Sequence, residues 1–297
     1  MRIVKARVLG FCFGVRRAVQ MIETELEKED RLSTLGAIVH NTHVVDALGE
    51  KGAVMVRSLD DVPAHGVVAI TAHGAGEEVY ERIHERGLRL VDTTCPIVRR
   101  AQQAAAELVS DGLFVVLYGE AEHPEVKGIL SWTRGEGIAT QTPDIEIPNG
   151  SKGIGIIAQT TKNPKLFTEF AHQIVERIEE SVETRVVDTT CPETGRRYQA
   201  GIELARSVDA IAVVGSRSSA NTRKLTQTCE RTGVPTHHIE SAAEIDEEWL
   251  KGVDRFGVTA GASTPDDVID DVIGRLQTHR EELGVREGET GTSAVSL

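Results

Sequence analysis

Nine short apolar runs in this chain fall into three sets that share one spacing. The hexapeptide VDTTCP occurs at Val91–Pro96 and again at Val187–Pro192. The run IVKARVLGFCFG at the start of the chain brings a third cysteine, Cys12, to the corresponding place. From Cys12 to Cys95 is 83 residues, and from Cys95 to Cys191 is 96. His40, His123 and Ser219 stand in other runs at those same intervals. A recurrence of this kind is an architectural signal, to be read before any local structure.

Each set has the same grammar. GAIVHNTH, LFVVLYGEAEHPE and AIAVVGSRSSAN read as first strands ending near His40, His123 and Ser219. VVAITAHG, GIGIIAQTT and FGVTAGAS read as second strands, ending near His73, Thr160 and Ser263. The third strand ends at a cysteine. Between first and second strands lie helix-like segments with a glycine near their stop, each followed by a short β-prone run. Four strands alternating with helices imply an α/β class and parallel sheets. With 40% apolar residues and only 4% aromatic ones, the cores must be Val, Ile, Leu and Ala, as in sheets covered on both faces. The expected units are 13–95, 96–191, and 192–283 completed by the N-terminal strand 1–12. The Gly-rich stretch 284–297 is expected to be a disordered tail.

Ligands of open parallel sheets bind just beyond the carboxyl ends of the strands. Three units related by a pseudo-threefold axis would bring Cys12, Cys95 and Cys191 around one point. Three thiolates suit a metal centre. A closed zinc site usually takes four ligands, whereas a [4Fe–4S] cluster held by three cysteines keeps one iron open to substrate. A Cys₃ zinc site is the alternative. Cys229 lies inside a helix-like segment and reads as core. His40, His73, His123, Ser219, Asn221 and Ser263 offer neutral hydrogen-bond partners that could cradle a phosphate or diphosphate. Glu125, two residues past His123, is placed to donate protons if its pocket is dry, and the Thr160 hydroxyl to relay them. A net charge of −13 argues against a nucleic-acid partner. No apolar run approaches the length of a membrane span, and the expected location is the cytoplasm.

The ordered motifs GFCFGV, VHN, AHG, TCP, EHPE, QTT, SSAN and TAGAS together resemble the 4-hydroxy-3-methylbut-2-enyl diphosphate reductase family, iron–sulfur enzymes of the methylerythritol phosphate route to isoprenoids. The resemblance implies a trefoil of three α/β units around a central [4Fe–4S] cluster ligated by Cys12, Cys95 and Cys191. It implies a diphosphate cradle of His40, His73, Ser219, Asn221 and Ser263, with His123 near the substrate chain. It makes Glu125 the catalytic acid, places the Thr160 hydroxyl beside the substrate alcohol, and matches Thr194 to a family threonine. The implied reaction is reductive dehydroxylation of (E)-4-hydroxy-3-methylbut-2-enyl diphosphate to isopentenyl and dimethylallyl diphosphate. In it the substrate hydroxyl sits at the open iron and two electrons come from a ferredoxin or flavodoxin. Three places depart from the family pattern: Ala220 for a usual serine, Pro192-Glu193 after Cys191, and Tyr198 for a usual glutamine.

Overall fold

In the computed structural model, residues 1–148, 150–179 and 181–290 are described. The elements in chain order are β1 (Arg2–Lys5), α1 (Phe13–Leu26), β2 (Leu32–Leu35), α2 (Thr42–Glu50), β3 (Ala53–Val56), β4 (Val67–Ile70), α3 (Glu77–Glu85), β5 (Arg89–Asp92), α4 (Pro96–Ser110) and β6 (Leu113–Tyr118). They continue with α5 (Pro124–Ser131), β7 (Gly137–Thr140), β8 (Gly153–Ala158), α6 (Pro164–Val175), β9 (Glu183–Val186), α7 (Pro192–Ala205) and β10 (Ala210–Val214). The last are α8 (Ala220–Glu230), β11 (Thr236–Ile239), β12 (Arg255–Ala260) and α9 (Asp266–Thr290).

The three expected four-stranded parallel sheets are present. Their orders are β3-β2-β4-β5, β7-β6-β8-β9 and β11-β10-β12-β1, one topology used three times. The N-terminal strand β1 completes the third sheet by pairing with β12, Ile3 opposite Phe256.

Packing divides the chain into two compact units. The larger holds residues 13–39 and 43–195, with the first and second sheets. In it β6 shows why the apolar runs are continuous. Leu113, Val115 and Leu117 enter a core with α4 and α5, while the alternate Phe114 and Val116 enter another with α6. A strand buried on both faces needs apolar residues at every position. The two sheets are joined through the loop between β4 and α3: Gln102 Nε2 and Trp132 Nε1 both donate to Ala75 O, at 3.0 and 3.2 Å.

The smaller unit holds residues 1–12, 40–42 and 196 onward. Ala210, Ala212 and Val214 of β10 face α9, and Ile211 and Val213 face α7 and α8. α9 runs on to Thr290, past Leu283, so residues 284–290 are helical where a disordered tail was expected. Extending a helix already packed through Ile269, Val272, Ile273 and Leu276 requires no new nucleus. Residues 291–297 lie outside the described ones.

The first strand of the first sheet also differs from expectation. It is Leu32–Leu35, and the more apolar Gly36–Val39 that follows is irregular. Ser33 and Thr34 are buried in that strand, so its sequence looks like a turn. The correction tightens the repeat: β2, β6 and β10 end at Leu35, Tyr118 and Val214, each the same distance before His40, His123 and Ser219.

Candidate functional site

Each cysteine lies between the last strand of its sheet and the following helix. Its backbone N–H is tied to the loop after the second strand: Cys12 to Ala262 O and Cys95 to Ala72 O, both at 3.0 Å, and Cys191 to Thr160 O at 2.7 Å. Those acceptors are the second residues of three matching turns. The turns are closed by Gly74 N–H to Thr71 O, Lys162 N–H to Gln159 O and Thr264 N–H to Gly261 O. The repeated hexapeptide is explained locally. Asp92 Oδ1 accepts from both the N–H and the hydroxyl of Thr94, and Asp188 does the same for Thr190. The preceding threonine in each copy, Thr93 or Thr189, reaches the neighbouring strand. Pro96 and Pro192 open α4 and α7, where a missing N–H costs nothing. Cys12, Cys95 and Cys191 form no disulfide and are half-buried. Cys229 is fully buried in α8, and desolvation pushes its thiol up to about 11.

The larger unit brings His73, His123, Glu125 and Thr160 to its strand ends. His123 caps α5, its Nδ1 accepting from Glu125 N–H at 3.1 Å. A neutral imidazole accepting at Nδ1 carries its proton on Nε2. The His73 and His123 rings meet edge to face, with centroids 5.7 Å apart. Glu125 is buried, and its Oε1 accepts from Thr160 N–H at 2.6 Å. Burial pushes its carboxyl up to about 7, against the opposing pull of the Thr160 N–H and hydroxyl and of the Lys162 charge. A carboxyl so placed can hold a proton at neutral pH and release it. Thr160 therefore joins two predicted groups, donating to Glu125 and accepting from Cys191 N–H.

The smaller unit holds Cys12, His40, Ser219, Asn221 and Ser263. Ser263 Oγ donates to His40 O at 3.3 Å. Ser219 caps α8 by accepting from Thr222 N–H. Burial lowers the His40 pKa, with the charge of Arg223 adding to the effect. Asn221 Oδ1 accepts from the hydroxyl of buried Tyr198 at 2.8 Å, which leaves the amide N–H₂ as the group for a ligand. Ala220, the first residue of α8, offers no hydroxyl.

A family model described as LytB protein matches residues 3–277. The chain belongs to the LytB protein family. Among its LytB relatives is the 4-hydroxy-3-methylbut-2-enyl diphosphate reductase of Dehalococcoides mccartyi (strain CBDB1), 43% identical over 279 residues that cover 93% of this chain and 98% of that protein. The enzyme of the same name from Geobacter sp. (strain M21) is 41% identical, covering 93% and 97%. A solved (E)-4-hydroxy-3-methyl-but-2-enyl diphosphate reductase superposes with a TM-score of 0.72 at 36% identity, covering 94% of this chain and all of that one. The Plasmodium falciparum E-1-hydroxy-2-methyl-but-2-enyl-4-diphosphate reductase shares the fold, with a TM-score of 0.82 at 24% identity over 92% and 87% of the two chains. LytB proteins are iron–sulfur oxidoreductases.

Among the described residues, no three His, Cys, Asp or Glu side chains are grouped closely enough to hold a metal ion. The donor set nevertheless suits an iron–sulfur group. There is one partly accessible thiol per sheet, outside any disulfide, and each is pinned by its main-chain N–H at the same point of the same topology. No helix among the described residues is long and apolar enough to cross a membrane. Two residues escaped the sequence reading. Arg197 is 2% exposed and donates to two carbonyls, and Arg223 is a cation acting on His40. Arg223 had a signal, since it lies one helical turn past Ser219. Arg197 had none, because both its partners are distant in sequence.

Proposed function

We propose that this LytB protein removes the allylic hydroxyl of (E)-4-hydroxy-3-methylbut-2-enyl diphosphate reductively, yielding isopentenyl and dimethylallyl diphosphate. The carrying observation is Glu125, a buried carboxyl beside Thr160 whose proton affinity sits near neutrality. Cys12, Cys95 and Cys191 would hold a [4Fe–4S] cluster, which would relay two electrons from an external donor and offer a Lewis-acidic iron for departure of the hydroxyl.

The chain's own residues do the rest. His40, His73, Ser219, Asn221 and Ser263 bind the diphosphate through neutral donors, with Arg223 adding charge. His123 holds the substrate chain from Nε2. The Thr160 hydroxyl orients the substrate alcohol. Glu125 gives a proton to the departing oxygen, so the C–O bond breaks and water leaves. A second proton forms a C–H bond at one of the two allylic carbons, and the choice of carbon gives the two products. Two electrons and two protons balance the reaction. The electrons come from a ferredoxin or flavodoxin, and the cytoplasm is where such donors and this substrate meet.

Anaerobic purification with iron, sulfide and zinc analysis tests the centre. About four irons and four sulfides per chain are expected. They should be lost in Cys12→Ser, Cys95→Ser and Cys191→Ser and kept in Cys229→Ser. Zinc without sulfide would overturn the reading. Glu125→Gln should keep the iron and bind substrate while turnover drops about 100-fold or more; near-normal turnover would move the proton source elsewhere.

A further inference from the structure

The three cysteine turns share one plan but are latched in two ways. In the first sheet Thr93 Oγ1 donates to Ile70 O, the end of β4. In the second, Thr189 Oγ1 donates to Ala158 O, the end of β8. The corresponding carbonyl in the third sheet is Ala260 O, at the end of β12. The residue corresponding to Thr93 and Thr189 is Gly10, which has no hydroxyl. Gly10 has φ +73, and a Cβ there would stand 2.5 Å from Asp266 Oδ1, so a threonine does not fit.

Arg197 spans the gap. Its Nη1 donates to Ala260 O at 2.7 Å and its Nη2 to Gly10 O at 2.8 Å, while Cys12 N–H is held by Ala262 O. The guanidinium fork reaches both sides of the turn at once, as a single hydroxyl cannot. Arg197 is among the largest fully buried side chains, whereas Asp266 is exposed.

We infer that Arg197 is the positioning residue of the Cys12 turn, replacing the neutral threonine latch of the other two turns with a buried cation. Its bearing on redox chemistry rests on the cluster reading above. A fixed positive charge two residues from one ligand favours the reduced, more negative centre. The three cysteine corners are then electrically unequal although their backbone plan is the same.

The test uses the full chain as wild type, Arg197→Lys, Arg197→Met and, as the neutral-latch control, Thr189→Val. In cluster-free protein, iodoacetamide labelling of each cysteine is timed by peptide mass spectrometry. Arg197→Met should label Cys12 at least about tenfold faster, the ratio for loss of even one of its two charge-assisted bonds, with Cys95 and Cys191 unchanged. Arg197→Lys should fall between Met and wild type, and Thr189→Val should speed Cys191 alone. In anaerobically reconstituted protein the midpoint potential, followed by electron paramagnetic resonance, should be more negative in Arg197→Met than in Arg197→Lys. Wild-type labelling of Cys12 in Arg197→Met, or a uniform rise at all three cysteines, overturns the latch. Equal potentials in Met and Lys overturn the electrostatic role. If Arg197→Met does not fold, Arg197→Lys decides, with a selective rise at Cys12 for the latch and a uniform one against. A wild type that takes up no iron and sulfide sinks the cluster reading, yet the labelling still judges the latch.

Discussion

At the strand ends of the larger unit stands the buried acid Glu125, and in the smaller unit the half-buried base His40. Burial raises the pKa of the first and lowers that of the second. Both are driven to their neutral forms, with opposite uses. The acid keeps a proton that it can give away. The neutral base keeps one ring N–H to offer an anion as a hydrogen-bond donor. Around them the pattern continues. The larger unit closes its cysteine turns with neutral hydroxyls, and the smaller unit uses Arg197 for the turn and places Arg223 beside His40. Under the proposed function, one topology would carry proton donation in the larger unit and most of the anion handling in the smaller.

The largest expected effect tests the acid side. Below pH 4.5 both folded and unfolded chains hold the Glu125 proton; between 4.5 and about 7 only the folded chain does. Stability from this group is therefore full at low pH and is lost as pH rises through about 7, by about 3 kcal/mol in all. Glu125→Gln, which has no charge to bury, should flatten that decline in denaturant unfolding of the cluster-free protein. Parallel wild-type and variant profiles from pH 4.5 to 8 would show that the carboxyl is not desolvated, and the contrast with His40 would collapse.

A smaller effect probes the neutral latches. Ile70 O also accepts from Thr93 N–H, so Thr93→Val leaves that carbonyl partnered. The expected loss is about 1 kcal/mol. Thr189 Oγ1 both donates to Ala158 O and accepts from Ala158 N–H, so Thr189→Val should cost more, about 2 kcal/mol; equal losses would show that the extra bond carries no weight. The smallest effect belongs to the anion side. Tyr198→Phe frees the Asn221 amide to turn, and the KM for the diphosphate substrate should rise by about threefold with kcat unchanged, the size expected from one neutral hydrogen bond. Tyr198→Gln, the residue usual in the family, should behave like wild type. A fall in kcat instead would place Tyr198 in the chemistry.

Much of this was legible in the sequence because repetition amplifies weak signals. No single apolar run identifies a parallel strand, but three sets with shared spacing predict the sheets and the equivalent turns that hold the three cysteines. The misreading of β2 has a physical cause: Ser33 and Thr34 are buried through pairing with β3 and β4, which composition does not reveal, while Gly36–Val39 carries β-prone residues in an irregular segment. Glu125 could be picked out as a candidate from its motif, but its dryness comes from tertiary burial. Arg197 was invisible because a charged residue in a helix reads as solvent-facing, and its partners lie 63 and 187 residues away.

The pairing of β1 with β12 orders events at the ribosome. Cys12 is made before the first two sheets, yet the carbonyls that fix its turn or anchor its latch, Ala262 and Ala260, are made after both. The first two sheets can close while translation continues, whereas the third waits for β12. A chain cut short before β12 would carry two well-formed cysteine corners and one that never sets.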